Sequence, residues 1–155
     1  MNIQTGGGKL GHTFPYFRLA EIYLNYAEAL NEYAPGNPDI EHYVNLVRER
    51  SDQPALPNGL TQDEMRERIR RERRVELAFE EHRAWDVRRW KVASSTLGAP
   101  LKGMRIERDN TQATPTFTYT PYVVEQRVFQ PKMYWYPIPQ SELLKLKGWK
   151  QNPQW

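Results

Sequence analysis

The stretch RLAEIYLNYAEALNEY, read as a helix from about Phe17 to Tyr33, constrains the fold more than any other part of the chain. Residues placed every 100° put Glu21, Asn25, Glu28 and Glu32 on one narrow polar stripe. Ile22, Tyr23, Leu24, Tyr26, Ala27, Ala29 and Leu30 cover the rest. A helix this widely apolar needs neighbours on more than one side. Pro35, Gly36 and Pro38 then stop it and turn the chain. A second helix is expected from about Pro38 to Arg50, with Ile40, Tyr43, Val44 and Val47 at i, i+3, i+4, i+7. The two helices span about 34 residues, the length of one tetratricopeptide-like hairpin, and such arrays usually need about three units. Either the rest of this chain supplies the missing surface, or part of the protein is absent.

Thr61-Gln62-Asp63-Glu64 fits a capping box, with Thr61 as N-cap and Glu64 reaching back. A long helix is expected from there to about Phe79, and a further helical stretch from about His82 to Lys91. Residues 94–115 carry Gly98, Pro100, Gly103, Asn110 and Pro115 and read as irregular. Phe117 and Tyr119 alternate with threonines in a strand-like pattern, and Tyr122 to Gln130 is β-prone. Pro121 and Pro131 limit any sheet there to an edge. Tyr134 to Pro139 is expected to be extended, because each proline disfavours the α region for the residue before it. Ser141 to Lys147 can form a last short helix. The expected fold is mainly α: a helical hairpin plus a long helix, with irregular loops and short β segments. Glycine-rich residues 1–13 read as a flexible lead and 14–155 as one structural unit.

Composition removes several function classes. The chain lacks cysteine, so disulfides, thiol catalysis and thiolate metal sites are excluded. His12, His42 and His82 stand in unrelated contexts and do not suggest a metal site. No apolar run approaches the ~18 residues of a membrane span. Met1 to Gly11 carries neither the charged nor the apolar region of a secretory signal. The net charge of +3 is mildly basic. The run RERIRRERR from Arg66 to Arg74 resembles a nucleic-acid stripe, but Glu64–Arg68 and Glu67–Arg71 are spaced as i, i+4 ion pairs. Positive charge interleaved with acid argues against nucleic-acid binding.

The same helix carries the most informative pattern. Met65, Ile69 and Phe79 define its apolar stripe, and Glu72 and Glu76 sit in the middle of it. Buried carboxylates need partners. Three readings compete: a general acid/base pair, a metal site, and a structural ionic network. The arginines nearby (Arg73, Arg83, Arg88, Arg89) favour the network, since guanidinium pairs bidentately with carboxylate. Asp86, between Trp85 and Trp90, is assigned to the same polar core. Glu76→Ala is expected to cost ~3 kcal/mol or more by stranding a buried arginine. Five tryptophans and nine tyrosines invite a sugar-binding reading. Trp85, Trp90 and Trp135 read as core. Tyr119, Tyr122, Trp149 and Trp155 fall in less regular segments, and Tyr119, Tyr122 and Trp149 are the ligand-binding candidates.

Five blocks, in matching order and spacing, resemble one family. RLAEIYLNYAEAL (Arg18–Leu30) resembles the helix opening the C-terminal region of SusD/RagB-type proteins. NLVRERS (Asn45–Ser51) is similar to their N-x-V-R-x-R-A block. ERRVELAFEEHRAWDVRRW (Glu72–Trp90) is similar to E-R-R-x-E-L-A-F-E-G-x-R-x-x-D-L-x-R-W. YWYPIPQSELL (Tyr134–Leu144) and QNPQW (Gln151–Trp155) resemble Y-x-Y-P-I-P-x-x-E and a terminal Q-N-P-G-[WY]. The resemblance covers about Phe14 to Trp155. Glu81 stands where the family usually has Gly, which weakens the expectation of a sharp break between the two helical stretches. Ala84, Val87 and Gln154 also depart, the last again from Gly.

The resemblance implies a non-enzymatic, surface-exposed outer-membrane lipoprotein of Bacteroidetes-type bacteria. Such a protein sits as a lid on a SusC-like, TonB-dependent transporter and captures glycans, or sometimes peptides, without a cofactor. On this resemblance the chain is the C-terminal scaffold segment, lacking the lipidated cysteine and most of the ligand site. Glu72, Arg73, Glu76, Arg83, Asp86 and Arg89 are then expected to form a buried ionic lattice, and Tyr134 to Pro139 a strut packed on the helices. The alternative is a helical glycoside hydrolase using Glu72 and Glu76. Two carboxylates one turn apart on one helix weigh against it, because glycosidase carboxylates flank the bond from opposing walls. A stand-alone helical adaptor is the third reading, and requires that 155 residues be the entire product.

Overall fold

A computed structural model describes residues 16–111, 114–145 and 147–155; the glycine-rich lead at 1–13 lies outside them. The chain divides into two compact units at Glu81/His82, where one unit is expected from sequence.

In the first unit, α1 (Leu19–Tyr33) and α2 (Pro38–Glu49) form the hairpin that the proline and glycine punctuation predicts. Gly36 takes φ 83° in the turn, a left-handed conformation that costs glycine no Cβ clash. Asn37 caps α2 by accepting from the Asp39 N–H at 3.0 Å, and Pro38 fills the first helical position. The third helix, α3 (Gln62–Glu76), opens on the expected capping box. The Thr61 N–H donates to Glu64 Oε2 at 2.9 Å, and the Glu64 N–H donates to Thr61 Oγ1 at 3.3 Å.

The core of this unit is the shared apolar face. Ala20, Leu24 and Ala27 of α1 meet Ile40, Val44 and Val47 of α2 and Met65 and Ile69 of α3. Asn31 is buried among them and joins α1 to α3: its Nδ2 donates to the Gln62 carbonyl at 3.1 Å, and Gln62 Nε2 donates to the Asn31 carbonyl at 2.9 Å. The outer face of α1 is left open, with Leu19, Ile22, Tyr26 and Tyr33 all exposed. α1 therefore has two neighbours, α2 and α3, and among the described residues neither covers this outer face.

The long helix ends earlier than the sequence predicts, at Glu76. Leu77 is its C-cap, and Phe79 and Glu81 take φ 66° and 63°. A sharp break therefore stands at Glu81 even though the side chain there is not hydrogen. Phe79 leaves the apolar stripe and is fully exposed. Arg73 and Leu77 take its place on the buried side.

In the second unit, α4 (His82–Arg89) and α5 (Ala93–Thr96) precede a two-stranded antiparallel ribbon. Its strands are β1 (Leu101–Asp109) and β2 (Thr116–Glu125). β1 replaces the irregular segment expected at 94–115. Gly103 there is a packing requirement rather than a turn signal. It pairs with Tyr122, and a Cβ on it would lie 2.8 Å from Val124 Cγ2 and 3.1 Å from Tyr122 Cζ. Both strands are edges, so Pro121 is accommodated opposite Met104.

A 3-10 turn (Pro131–Tyr134) takes in Tyr134, the first residue of the expected extended run; Trp135 is extended, and residues 136–139 form neither helix nor strand before α6 (Gln140–Lys145). The strut is held from both sides. Toward α4, the Trp85 and Tyr136 rings lie 6.0 Å apart, and the Arg88 guanidinium sits 5.3 Å from the Tyr136 ring. From the C-terminus, Gln151 imitates a neighbouring strand: its Oε1 accepts from the Ile138 N–H at 2.8 Å and its Nε2 donates to the Ile138 carbonyl at 2.9 Å. Asn152 Nδ2 donates to the Tyr136 carbonyl at 2.6 Å, and Trp155 Nε1 donates to the Lys132 and Trp135 carbonyls, both at 3.0 Å. The terminal QNPQW block is thus a clasp on the strut. Trp85 and Trp135 are exposed rather than core. α4 turns only Asp86 and Val87 fully inward, and Trp135 borders Lys91, whose Nζ is 5.3 Å from its ring.

Candidate functional site

The polar stripe of α1 does not face water alone; it faces the arginines of α3. Arg66 donates to both oxygens of Glu32, Nη2 to Oε2 at 2.8 Å, and also to Asp63. The hydrogen bonds from Arg66 hold the Glu32 carboxyl below the usual glutamate range. Two turns along, Arg73 donates to Asn25 Oδ1 and lies 3.9 Å from Glu28. Arg73 is 3% exposed and Glu28 14%. A guanidinium at this depth is tolerated only with acceptors around it.

Glu72 and Glu76 lie on the adjoining flank of α3 and look toward α2 and the start of α1. Arg48 Nη1 donates to Glu72 Oε2 at 2.6 Å while its Nε donates to the Pro54 carbonyl at 2.9 Å. Arg50 Nη2 donates to both oxygens of Glu76, at 2.7 and 2.8 Å. Arg18 donates to Glu76 through Nη1 and closes the end of α3 by donating to the Glu76 carbonyl. It also grips Glu80 with two bonds of 2.7 Å. That grip, opposed by burial and helped by Glu76, raises the Arg18 guanidinium well above its already high value. A cation at a helix C-terminus also offsets the partial negative charge of the last carbonyls.

These pairs border a groove of about 380 Å³ between α3 and the end of α2, lined among others by Arg48, Ser51, Arg68, Arg71, Glu72 and Glu76. The two carboxylates are largely covered, with 13% and 7% of their side chains exposed.

Of the six residues expected in one lattice, Glu72, Arg73 and Glu76 fall in the first unit and Arg83, Asp86 and Arg89 on α4 in the second. Asp86 is buried and accepts from Arg89 Nη2 at 2.9 Å and Nε at 3.0 Å. Arg83 is half-buried on the same helix. The arginines that touch Glu72 and Glu76 are Arg18, Arg48 and Arg50, not the local run. Sequence reasoning missed all three, although Arg18 opens the first family-like block and Arg48 and Arg50 belong to the second. Helical spacing within α3 carried no information about the facing helices.

The expected i, i+4 pairs on α3 do not form. Glu64 is engaged by Thr61, whose hydroxyl and backbone N–H hold its carboxyl below the usual range. Glu67 pairs instead with Arg70 at 3.2 Å. Tyr119, Tyr122 and Trp149 are exposed. Tyr119 pairs with Ile106 and Tyr122 with Gly103, so they project from opposite faces of the ribbon and share no platform. Tyr119 lies with Met104, Ile106, Phe117 and Val123 on an exposed apolar face, and the Arg105 guanidinium is 5.7 Å from the Tyr122 ring.

Comparison with known proteins places this geometry among relatives. The model of the SusD family matches residues 1–155. The chain is 43% identical over 88 residues to SusD-like protein P2 of Formosa agariphila, a match covering 52% of this chain and 17% of that protein. It is 35% identical over 100 residues to SusD-like protein P38 of the same organism, covering 59% and 20%. A solved SusD-like protein from Bacteroides fragilis superposes with a TM-score of 0.73 at 35% identity, over 88% of this chain and 25% of that one. A solved SusD-like carbohydrate binding protein from Bacteroides vulgatus gives 0.55 at 25% identity, over 83% and 28%. The chain thus spans about a fifth of the length of these curated relatives and about a quarter of the solved ones.

Proposed function

Because this chain belongs to the SusD family, we propose that it serves as the C-terminal scaffold of a glycan-binding, non-enzymatic component of an outer-membrane uptake system. The whole protein would be surface-exposed, held to the membrane by an N-terminal lipid, and would deliver oligosaccharide or peptide to a SusC-like, TonB-dependent transporter. The observation that carries this reading is the family match along residues 1–155, supported by the carbohydrate-binding relative from Bacteroides vulgatus. In this segment the named residues have structural roles. The ion pairs of α3 fix the spacing of three helices, and the C-terminal clasp fixes the strut.

The hydrolase reading would need Glu72 and Glu76 to meet a glycosidic bond from opposite walls. Both project from one helix, and guanidinium groups donate to Oε2 of Glu72 and to both oxygens of Glu76. The proposal is tested with the full-length protein on a glycan panel and by co-purification with a SusC-like, TonB-dependent transporter from the same cells. Binding of at least one glycan together with recovery of the transporter is the expected result. A protein that binds no panel member and no transporter would refute it.

A further inference from the structure

Two arginines of α3 stand apart from the ion pairs that join it to α1 and α2. Arg68 and Arg71 are exposed, and among the described residues neither touches a carboxylate. Their expected partners are committed elsewhere, Glu64 to Thr61 and Glu67 to Arg70. Arg68 senses Glu64 only through space. Both arginines line the groove of about 380 Å³, on the wall that also carries Glu72 and Glu76. The acids of that groove are already paired in charge, Glu72 with Arg48 and Glu76 with Arg18 and Arg50. Guanidinium charge is therefore left over where the local negative charge is spent.

A groove of this volume is within the range of small-molecule sites, roughly 300–1,000 Å³. Guanidinium forks select planar or tetrahedral oxyanions by paired N–H donation. Ser51 adds a hydroxyl, and the exposed Val75 offers an apolar patch for a ring face. We propose that this groove is an oxyanion-binding subsite for acidic oligosaccharides, with Arg68 and Arg71 donating to a uronate carboxylate or a sulfate ester. The inference rests on the glycan-binding reading above and names the class of glycan taken.

The test is calorimetric titration of the full-length protein with three probes: tetragalacturonate, a sulfated carrageenan tetrasaccharide and neutral maltotetraose. At least one acidic probe is expected to bind, and to bind more weakly as salt rises. The double variant R68A/R71A should weaken that binding about tenfold or more, with thermal unfolding unchanged because neither arginine belongs to the interhelical ion pairs. R68K/R71K keeps the charge without the fork and should fall between. Comparison of the two acidic probes separates carboxylate from sulfate. Acidic probes that bind wild type and R68A/R71A equally, or that do not bind at all, overturn the subsite. If maltotetraose or another panel glycan still binds, the capture reading stands; a blank panel overturns that reading as well.

Discussion

Replacing Arg73 should damage this protein far more than replacing Glu76, although Glu76 looks the more critical in the sequence. Arg73 is 3% exposed, donates to Asn25 and neighbours the 14%-exposed Glu28. Arg73→Ala removes the cation from a covered acid and empties the space of its aliphatic stem. Breaking a buried pair in this way costs about 3–5 kcal/mol. Glu76→Ala is different. The partners it releases are Arg50, which is 63% exposed and regains water, and Arg18, which keeps two hydrogen bonds to Glu80. No guanidinium is stranded, so the cost falls to about 1–2 kcal/mol. That is below the ~3 kcal/mol expected when the partner is taken to be a buried arginine. Urea denaturation followed by circular dichroism measures both. Arg73→Lys should lie between, because it keeps the charge and loses the planar fork. A Glu76→Ala penalty equal to or above that of Arg73→Ala would refute this ranking of burial over pair number.

Glu81→Gly should stabilise the protein by about 1 kcal/mol, since residue 81 holds φ 63° and glycine carries no Cβ to strain there; a lowered melting temperature would contradict it. Gln151→Ala should cost about 1–3 kcal/mol by leaving the Ile138 N–H and carbonyl without their partner, and amide exchange at Ile138 should rise selectively. Stability should fall in acid. The Glu32 and Glu64 carboxyls are depressed in the folded state, so they add stability above the unfolded value of about 4.3 and lose it as pH drops through their lower folded values. Melting curves across that window should show the decline, and Glu32→Gln should flatten it.

Much of the first unit was legible because its signals are local. The stripe Ile40, Tyr43, Val44 and Val47, the capping box at Thr61 and the Pro-Gly turn each follow from spacing alone. Pairing between helices was not legible in the same way. The capping box and the i, i+4 rule claimed the same Glu64 carboxylate, and the cap won. The partners of Glu72 and Glu76 come from residues about 24 to 58 positions away, where periodicity is silent. β1 was hidden by Gly98, Pro100 and Gly103, which read as punctuation until Gly103 is seen opposite Tyr122. Phe79 misleads because α3 ends at Glu76, before the stripe reaches it, and Trp85 misleads because α4 turns Asp86 and Val87 inward in its place. The candidate ligand residues Tyr119 and Tyr122 show the limit of composition, since strand alternation sends them to opposite faces.

The most direct test of the central claim, that the acids of α3 are architecture and not reagents, uses the Glu72→Gln/Glu76→Gln variant of the full-length protein. Unfolding midpoint, glycan binding and release of reducing ends are measured together. The account predicts a lower midpoint, glycan binding that is not weakened, and no sugar release from either protein. Reducing ends released by wild type and abolished in the variant would contradict it.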